Sequence, residues 1–151
     1  YKNVIVTRTF SKMYGLAGLR IGYAVGDRSV MSELRAAGNG WGISNVSCYA
    51  AMAALKDKSF VRQVKRLTNE TKDYFYGELD SLGLTYTPSH SNFILVNVND
   101  DAREFQKKLM KRNVRVRAYD NDAIRNHIRV SVGTLDEMQA TVNVLQDLLK
   151  T

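Results

Sequence analysis

Residues 9–20 read TFSKMYGLAGLR, a turn between two segments with strand patterns. The turn carries the hydroxyls of Thr9 and Ser11, the amine of Lys12 and the guanidinium of Arg20. Its glycines allow the backbone to fold tightly, so that residues eight positions apart can converge. Hydroxyls and the planar arginine fork both bind phosphate oxygens. The residues alone predict a phosphate site, and they leave open whether the lysine is reactive or a solvated loop residue.

The segments on either side of this turn have the patterns of short strands. Residues 3–7 form a short apolar run that is typical of a buried strand. Residues 20–26 alternate between large and small side chains, which indicates a second strand with one close-packed face. Asp27 then predicts the N-cap of a helix that ends near Gly38.

A domain boundary is predicted just after the glycine-rich turn at residues 38–42. We expect residues 1–43 to complete one domain and residues 44–151 to form another, beginning with an alanine-rich helix. Strands and helices then alternate, which indicates an α/β or α+β layered domain. The predicted elements are helices over 46–55, 60–82 and 102–112, strands over 93–98, 114–117 and 128–132, and a last helix with a capping box of Thr134 and Glu137.

The composition fits a folded globular chain, with 44% hydrophobic residues in 151. No apolar run approaches the roughly 20 residues of a membrane helix, and no signal-peptide pattern is present, so we expect a cytoplasmic protein without a membrane partner. The net charge of +7 suits nucleic acid, but the basic residues fall in helical patterns on predicted solvated faces. We therefore expect no nucleic-acid partner. With one cysteine and two histidines, we expect no metal site.

The longer stretch Arg8–Tyr23, RTFSKMYGLAGLRIGY, resembles the cofactor-lysine signature of fold-type I pyridoxal-phosphate-dependent aminotransferases, especially the histidinol-phosphate aminotransferase group. The resemblance continues through residues 91–96 (SNFILV), 114–117 (VRVR) and 127–134 (HIRVSVGT), so it spans nearly the whole chain. It implies an α/β fold, namely the C-terminal portion of the pyridoxal-phosphate-dependent transferase fold. That portion comprises the end of the large domain and the small domain.

The resemblance assigns roles in cofactor binding to the turn. It implies that Lys12 forms a Schiff base with pyridoxal 5'-phosphate and later carries a proton between two carbons of the intermediate, as amine chemistry on carbonyls allows. It also implies that Thr9, Ser11 and Arg20 contact the cofactor phosphate. The implied activity is transamination between an amino acid or histidinol phosphate and a 2-oxo acid, a reaction of amino-acid and histidine biosynthesis.

Three further residues are candidates for substrate binding. Arg129 is predicted to point away from its apolar neighbours on the strand, and the resemblance implies that it binds the substrate α-carboxylate; the alternative is a surface arginine paired with an acid. Arg117 resembles the arginine that grips a substrate phosphate, although Arg115 lies on the same face and the register stays open. Asn92 is expected near the cleft, or else bonds its own backbone.

Two departures from the family pattern bear on these expectations. The histidinol-phosphate group usually carries proline and asparagine before the alanine-rich helix, whereas residues 40–47 read GWGISNVS, which leaves the substrate open. The family residues that hold the pyridine ring precede the lysine strand, and few residues precede it here. We therefore expect a C-terminal fragment that binds the cofactor poorly alone. The resemblance also implies a homodimer at full length. The alternatives are a pyridoxal-phosphate-dependent decarboxylase of a phosphorylated amino acid and a non-catalytic fragment derived from an aminotransferase.

Overall fold

The computed structural model describes residues 1–38 and 42–150. The chain forms two compact units, divided between Lys65 and Arg66. Most of the glycine-rich turn lies outside the described residues, and the domain boundary after residue 43 stays a prediction. Among the described residues, no helix is both long and apolar enough to cross a membrane.

The first unit contains a two-stranded antiparallel sheet. Strand β1 (Ile5–Thr9) pairs with β2 (Gly22–Gly26), with Thr9 opposite Gly22. The sequence predicts a buried strand over residues 3–7, but β1 begins two residues later and all of it is exposed. A sheet of two strands has little neighbouring structure to bury it. The prediction of a strand is therefore confirmed, but the prediction that it is buried is wrong.

Two helices follow the sheet in the first unit. Helix α1 (Arg28–Ala37) begins at the predicted cap, where the backbone N–H of Ser29 donates to the Asp27 carboxylate at 3.0 Å. Helix α2 (Asn45–Lys56) begins after Ser44, which is its N-cap. The helices predicted from the capping and alanine-rich patterns are therefore confirmed to within about one residue of their ends.

Helix α3 (Lys58–Ser81) is the longest element, and it crosses the sequence position that divides the units. Gly83 lies two residues after its last residue, and the φ of 67° at this glycine lies in the left-handed region that glycine adopts without strain. The N–H of Leu84 donates back to the carbonyl of Leu79 at 3.0 Å. The predicted helix end at this glycine is confirmed.

The second unit contains a four-stranded antiparallel sheet in the order β3–β4–β6–β5. Its strands are β3 (Tyr86–Thr87), β4 (Phe93–Asn97), β5 (Arg117–Ala118) and β6 (His127–Ser131). The prediction that β5 covers residues 114–117 is wrong, because the N–H of Val114 is bonded to the Leu109 carbonyl at the end of the preceding helix. Strand β3 was not predicted, because a strand of two residues is too short to show an alternation of apolar and polar side chains.

Helices α3, α4 (Ala102–Lys111) and α5 (Leu135–Leu149) pack with one face of this sheet to form the core. The predicted capping box of α5 is present, with both Thr134–Glu137 bonds made. The largest fully buried side chains are Phe75, Leu79, Ile94, Val96, Leu109, Ile128, Met138, Val142 and Leu145. Helices layered with antiparallel sheet confirm the expected α/β class, and the alternate strand residues lie on the sheet face away from the core.

Candidate active site

The loop from β1 to β2 closes at its base. Beyond the strand ladder, the N–H of Phe10 donates to the carbonyl of Ile21 at 3.2 Å. Ser11 and Arg20 are the next residues on either side of this bond. The backbone therefore brings together the hydroxyl-bearing start of the loop and its guanidinium-bearing end, as the sequence predicts.

Two backbone turns shape the interior of the loop. The N–H of Gly15 donates to the carbonyl of Lys12 at 2.9 Å, and the φ of Gly15 is 68°. A short 3₁₀ helix, Ala17–Leu19, leads into Arg20, which has a φ of 49° and is also left-handed. Such a conformation is uncommon for a residue with a side chain, and it marks Arg20 as a position that its surroundings hold in place.

The loop presents hydroxyl and guanidinium donors. The Thr9 hydroxyl donates to Ser11 Oγ at 2.8 Å and accepts from the Ser11 N–H at 3.0 Å, which leaves the hydroxyl hydrogen of Ser11 free of any described partner. Arg20 donates one N–H to the Ala17 carbonyl at 3.0 Å. A guanidinium has five N–H donors, so others remain for an anion. These residues fit a phosphate group.

Lys12 lies at the exposed surface of the loop. Among the described residues, none forms a hydrogen bond or an ion pair with its amine. An amine without a competing carboxylate is available for covalent bonding to a carbonyl. The loop therefore combines hydroxyl and guanidinium donors that fit a phosphate with an available amine, which is the pairing that pyridoxal 5'-phosphate requires.

An aromatic cluster supports this loop from below. Phe10 is buried, and its ring centroid lies 4.8 Å from that of Tyr14 and 5.7 Å from that of Tyr23. Gly22 allows the two strands to approach closely, because a Cβ there would lie 2.6 Å from the Arg8 carbonyl oxygen. The start and the end of the loop are thus anchored by packing.

Ser47 of α2 also contacts the loop, and sequence reasoning missed it. Its side chain is buried, and its hydroxyl donates to the Leu19 carbonyl at 2.8 Å. The two residues are 28 positions apart, so no local pattern marks the contact. In the sequence, the sign of a polar contact here was a serine near the start of an alanine-rich helix.

In the second unit, Arg129 and Arg117 lie directly opposite each other on β6 and β5. The prediction that Arg129 points away from the core is confirmed, since its neighbours Ile128 and Val130 are buried. Opposed strand residues share a face, so the two guanidinium groups lie on the same side of the sheet. Arg115 precedes β5 and lies outside the ladder.

Arg129 has an incomplete set of hydrogen-bond partners. Its Nε is buried and has no partner among the described residues, and its Cζ lies 5.0 Å from the ring centroid of Phe93. Buried donors in folded proteins are nearly always bonded, so an unbonded one needs an explanation. A bound carboxylate would supply the missing acceptor.

Asn92 lies just before β4, and its side chain is exposed. Its carbonyl accepts a hydrogen bond from the Val132 N–H at 2.9 Å, which extends the pairing of β4 with β6. The structure thus places Asn92 at the end of the strand pair that carries Arg129. The role of its side chain in substrate binding stays a prediction.

Comparison with known proteins identifies the family. The sequence profile of class I and II aminotransferases matches residues 1–145. The chain belongs to that family, which confirms the resemblance found in the sequence.

Its curated relatives include several histidinol-phosphate aminotransferases. That of Moorella thermoacetica is 38% identical over 147 residues, covering 97% of this chain and 38% of the relative. That of Bdellovibrio bacteriovorus is 37% identical over 150 residues, covering 99% of this chain and 40% of the relative. The chain thus spans about two fifths of the length of these relatives.

Solved structures show the same partial fold. The histidinol-phosphate aminotransferase of Sinorhizobium meliloti, in complex with pyridoxal 5'-phosphate, is 30% identical with a TM-score of 0.90, and the match covers 99% of this chain and 42% of that one. The L-threonine-O-3-phosphate decarboxylase of Porphyromonas gingivalis is 23% identical with a TM-score of 0.84, covering 99% of this chain and 48% of that one. At that identity the second likeness concerns the fold alone.

Proposed function

We propose that the full-length protein is a pyridoxal-phosphate-dependent aminotransferase that moves an amino group between an amino acid or histidinol phosphate and a 2-oxo acid. The observation that carries the proposal is the loop from Thr9 to Arg20. Its lysine amine has no partner among the described residues and lies on the same short loop as hydroxyl and guanidinium donors that fit a phosphate. Family membership supports it, and so do relatives that are histidinol-phosphate aminotransferases.

Within this proposal, the loop residues hold the cofactor. Lys12 binds it covalently through Nζ, while Thr9, Ser11 and Arg20 donate hydrogen bonds to its phosphate. The cofactor supplies an electron sink for negative charge that develops on the substrate carbon. When the amino group of the substrate replaces Lys12 Nζ in the covalent bond to the cofactor, the lysine amine is freed. It would then accept a proton from the α-carbon of the substrate and give it up in the following step, acting in turn as base and acid.

The arginines of the second unit bind the anionic groups of the substrate. The Nε of Arg129, which has no partner among the described residues, suits an α-carboxylate, for which the planar fork of the guanidinium offers two parallel hydrogen bonds. Arg117, directly across the ladder, suits a substrate phosphate. Asn92, which lies just before β4, contributes an amide at the end of the strand pair that carries Arg129. We also propose that the full-length protein is a homodimer, as the family resemblance implies, and that it is cytoplasmic.

The test is amino transfer by the full-length protein with Lys12→Ala. Because this variant lacks both the covalent anchor and the proton carrier, we expect a loss of turnover of about 100-fold or more. The matched control is Lys2→Ala. Lys2 is an exposed lysine before β1, and this variant should retain full turnover. Wild-type turnover in Lys12→Ala would remove this residue from the reaction.

A decarboxylase of a phosphorylated amino acid is a second candidate. The two opposed arginines also fit a substrate that carries both a carboxylate and a phosphate, and the fold occurs in such an enzyme from Porphyromonas gingivalis. Product analysis separates the two candidates. Release of carbon dioxide identifies a decarboxylase, and transfer of the amino group to an added 2-oxo acid identifies a transaminase. Neither reaction would indicate a non-catalytic descendant.

A further inference from the structure

We propose that Ser47 is a positioning residue for cofactor binding, which acts by fixing the peptide group that carries Arg20. The proposal rests on the proposed function, since it assumes that Arg20 binds the cofactor phosphate. Ser47 does not touch the cofactor in this account. Its hydroxyl holds the backbone from which the guanidinium extends.

The peptide group between Leu19 and Arg20 is bonded at both ends. Its carbonyl accepts the hydroxyl hydrogen of Ser47 at 2.8 Å, and its N–H points to the Ala17 carbonyl at 3.4 Å. The second bond is long, so the hydroxyl makes the stronger of the two contacts. The side chain of Ser47 is 3% exposed, so water does not readily replace it.

The orientation of this peptide group determines the backbone of Arg20. Rotation of the peptide plane changes the φ of Arg20 directly, since that torsion adjoins the same C–N bond. Arg20 has a φ of 49°, a region that residues with a side chain rarely occupy without external support. Without the Ser47 hydroxyl, the plane can rotate toward an ordinary conformation.

Such a rotation would move the guanidinium away from the start of the loop. In the structure, Arg20 also donates to the Ala17 carbonyl, so its side chain and its N–H share one acceptor. Release of the peptide group would disturb both contacts together. The hydroxyls of Thr9 and Ser11 bond each other and would be unaffected. The loss should therefore fall on phosphate binding through Arg20.

The experiment measures cofactor dissociation constants of the full-length apoprotein by titration, with pyridoxal 5'-phosphate and with pyridoxal, which lacks the phosphate. For Ser47→Ala we expect about five- to tenfold weaker binding of pyridoxal 5'-phosphate and unchanged binding of pyridoxal. Ser47→Thr, which keeps the hydroxyl, should bind both as the wild type does. Equal weakening for both ligands would indicate general damage and overturn the proposal.

A double-mutant cycle with Arg20→Ala tests whether Ser47 acts through Arg20. In the Arg20→Ala background, Ser47→Ala should cause no further loss; an undiminished loss would overturn the proposal. The matched control is Ser44→Ala, which removes the N-cap hydroxyl of the same helix. That hydroxyl accepts from the Val46 N–H and does not contact the loop. That change should lower the melting temperature without selective loss of the phosphorylated ligand.

Two outcomes distinguish this proposal from the proposed function. If the wild type binds pyridoxal 5'-phosphate no better than pyridoxal, the phosphate role of the loop fails. If the wild type prefers the phosphorylated ligand and Ser47→Ala retains that preference, only the role of Ser47 fails. Should Ser47→Ala not fold, Ser47→Cys, with a similar volume and a weak donor, undergoes the same titrations. If neither folds, Ser47 is a folding residue and the proposal is overturned.

Discussion

Arg117 and Arg129 occupy a pair of positions that stability alone would not favour. Like charges directly opposite each other on neighbouring strands repel, and among the described residues neither guanidinium has a carboxylate partner. Arg117 lies beside the ring of Tyr119, and Arg129 beside that of Phe93. Each arginine thus has an aromatic neighbour and no counter-ion in the part of the chain that the structure describes, an arrangement suited to anionic ligands.

The register of Arg117 and Arg115 gives a prediction at this scale. In the full-length protein, Arg117→Gln should reduce kcat/KM for histidinol phosphate by about 10- to 100-fold, since a charged hydrogen-bond pair is lost. It should change kcat/KM for a substrate without a phosphate much less. Arg115→Gln is the control, because Arg115 lies outside the ladder. Steady-state kinetics with both substrates check this, and a larger phosphate-specific loss in Arg115→Gln would reverse the assignment.

At the level of elements, the β1–β2 hairpin determines the geometry of the loop from Thr9 to Arg20. Gly22 is its most constrained position, because an added Cβ would lie 2.6 Å from a backbone oxygen that cannot move without the strand. Gly18 lies within the same loop, but an added Cβ there meets nothing within 4 Å. A side chain at position 22 would therefore clash with the neighbouring strand, whereas a side chain at position 18 would not.

Replacement of these glycines by alanine tests the close approach of the strands. Gly22→Ala should destabilise the protein by about 1–3 kcal/mol, the usual cost of overpacking, and weaken cofactor binding as the base of the loop opens. Gly18→Ala should change the free energy of unfolding by less than about 1 kcal/mol. Chemical denaturation measures both, and equal effects would show that the strand approach is not limiting.

The N-cap of α4 predicts a pH dependence of stability. The N–H groups of Glu104 and Arg103 hold the pKa of Asp101 below its ordinary value of 3.8. A carboxylate with a lowered pKa contributes stability above pH 3.8, which is lost as pH falls through the folded-state pKa. Asp101→Asn keeps an acceptor but does not titrate.

The melting temperature of Asp101→Asn should therefore fall less than that of the wild type between about pH 7 and about pH 3. Asp73→Asn, at an exposed position inside α3, serves as the control and should follow the wild type. An identical acid-induced decrease in all three proteins would contradict a stabilising role for the ionised cap.

Elements with strong local signals were predictable, and those defined by distant contacts were not. The capping box at Thr134 and the terminating glycine at Gly83 act within a few residues, so sequence located both helix ends. Strand β5 could not be placed, because the end of α4 takes the N–H of Val114. The loop residues followed from resemblance, whereas the contact of Ser47 depends on tertiary packing.

The basic character of the whole molecule is distributed over helix faces. Arg66 pairs with Glu70 at 3.2 Å and Lys107 with Glu104 at 2.7 Å, and all four side chains are largely exposed. Such surface pairs contribute little to stability. Each pair is neutral, so these two basic residues do not add to the net charge of +7. This is in line with the expected absence of a nucleic-acid partner, which stays a prediction.

At the scale of the whole protein, the account depends on the covalent bond between Lys12 Nζ and the cofactor. Borohydride reduction of the full-length protein loaded with pyridoxal 5'-phosphate, followed by proteolysis and mass spectrometry of the peptides, tests it most directly. We expect the reduced cofactor on the peptide that contains Lys12. Its appearance on another lysine, or on no peptide, would contradict the account.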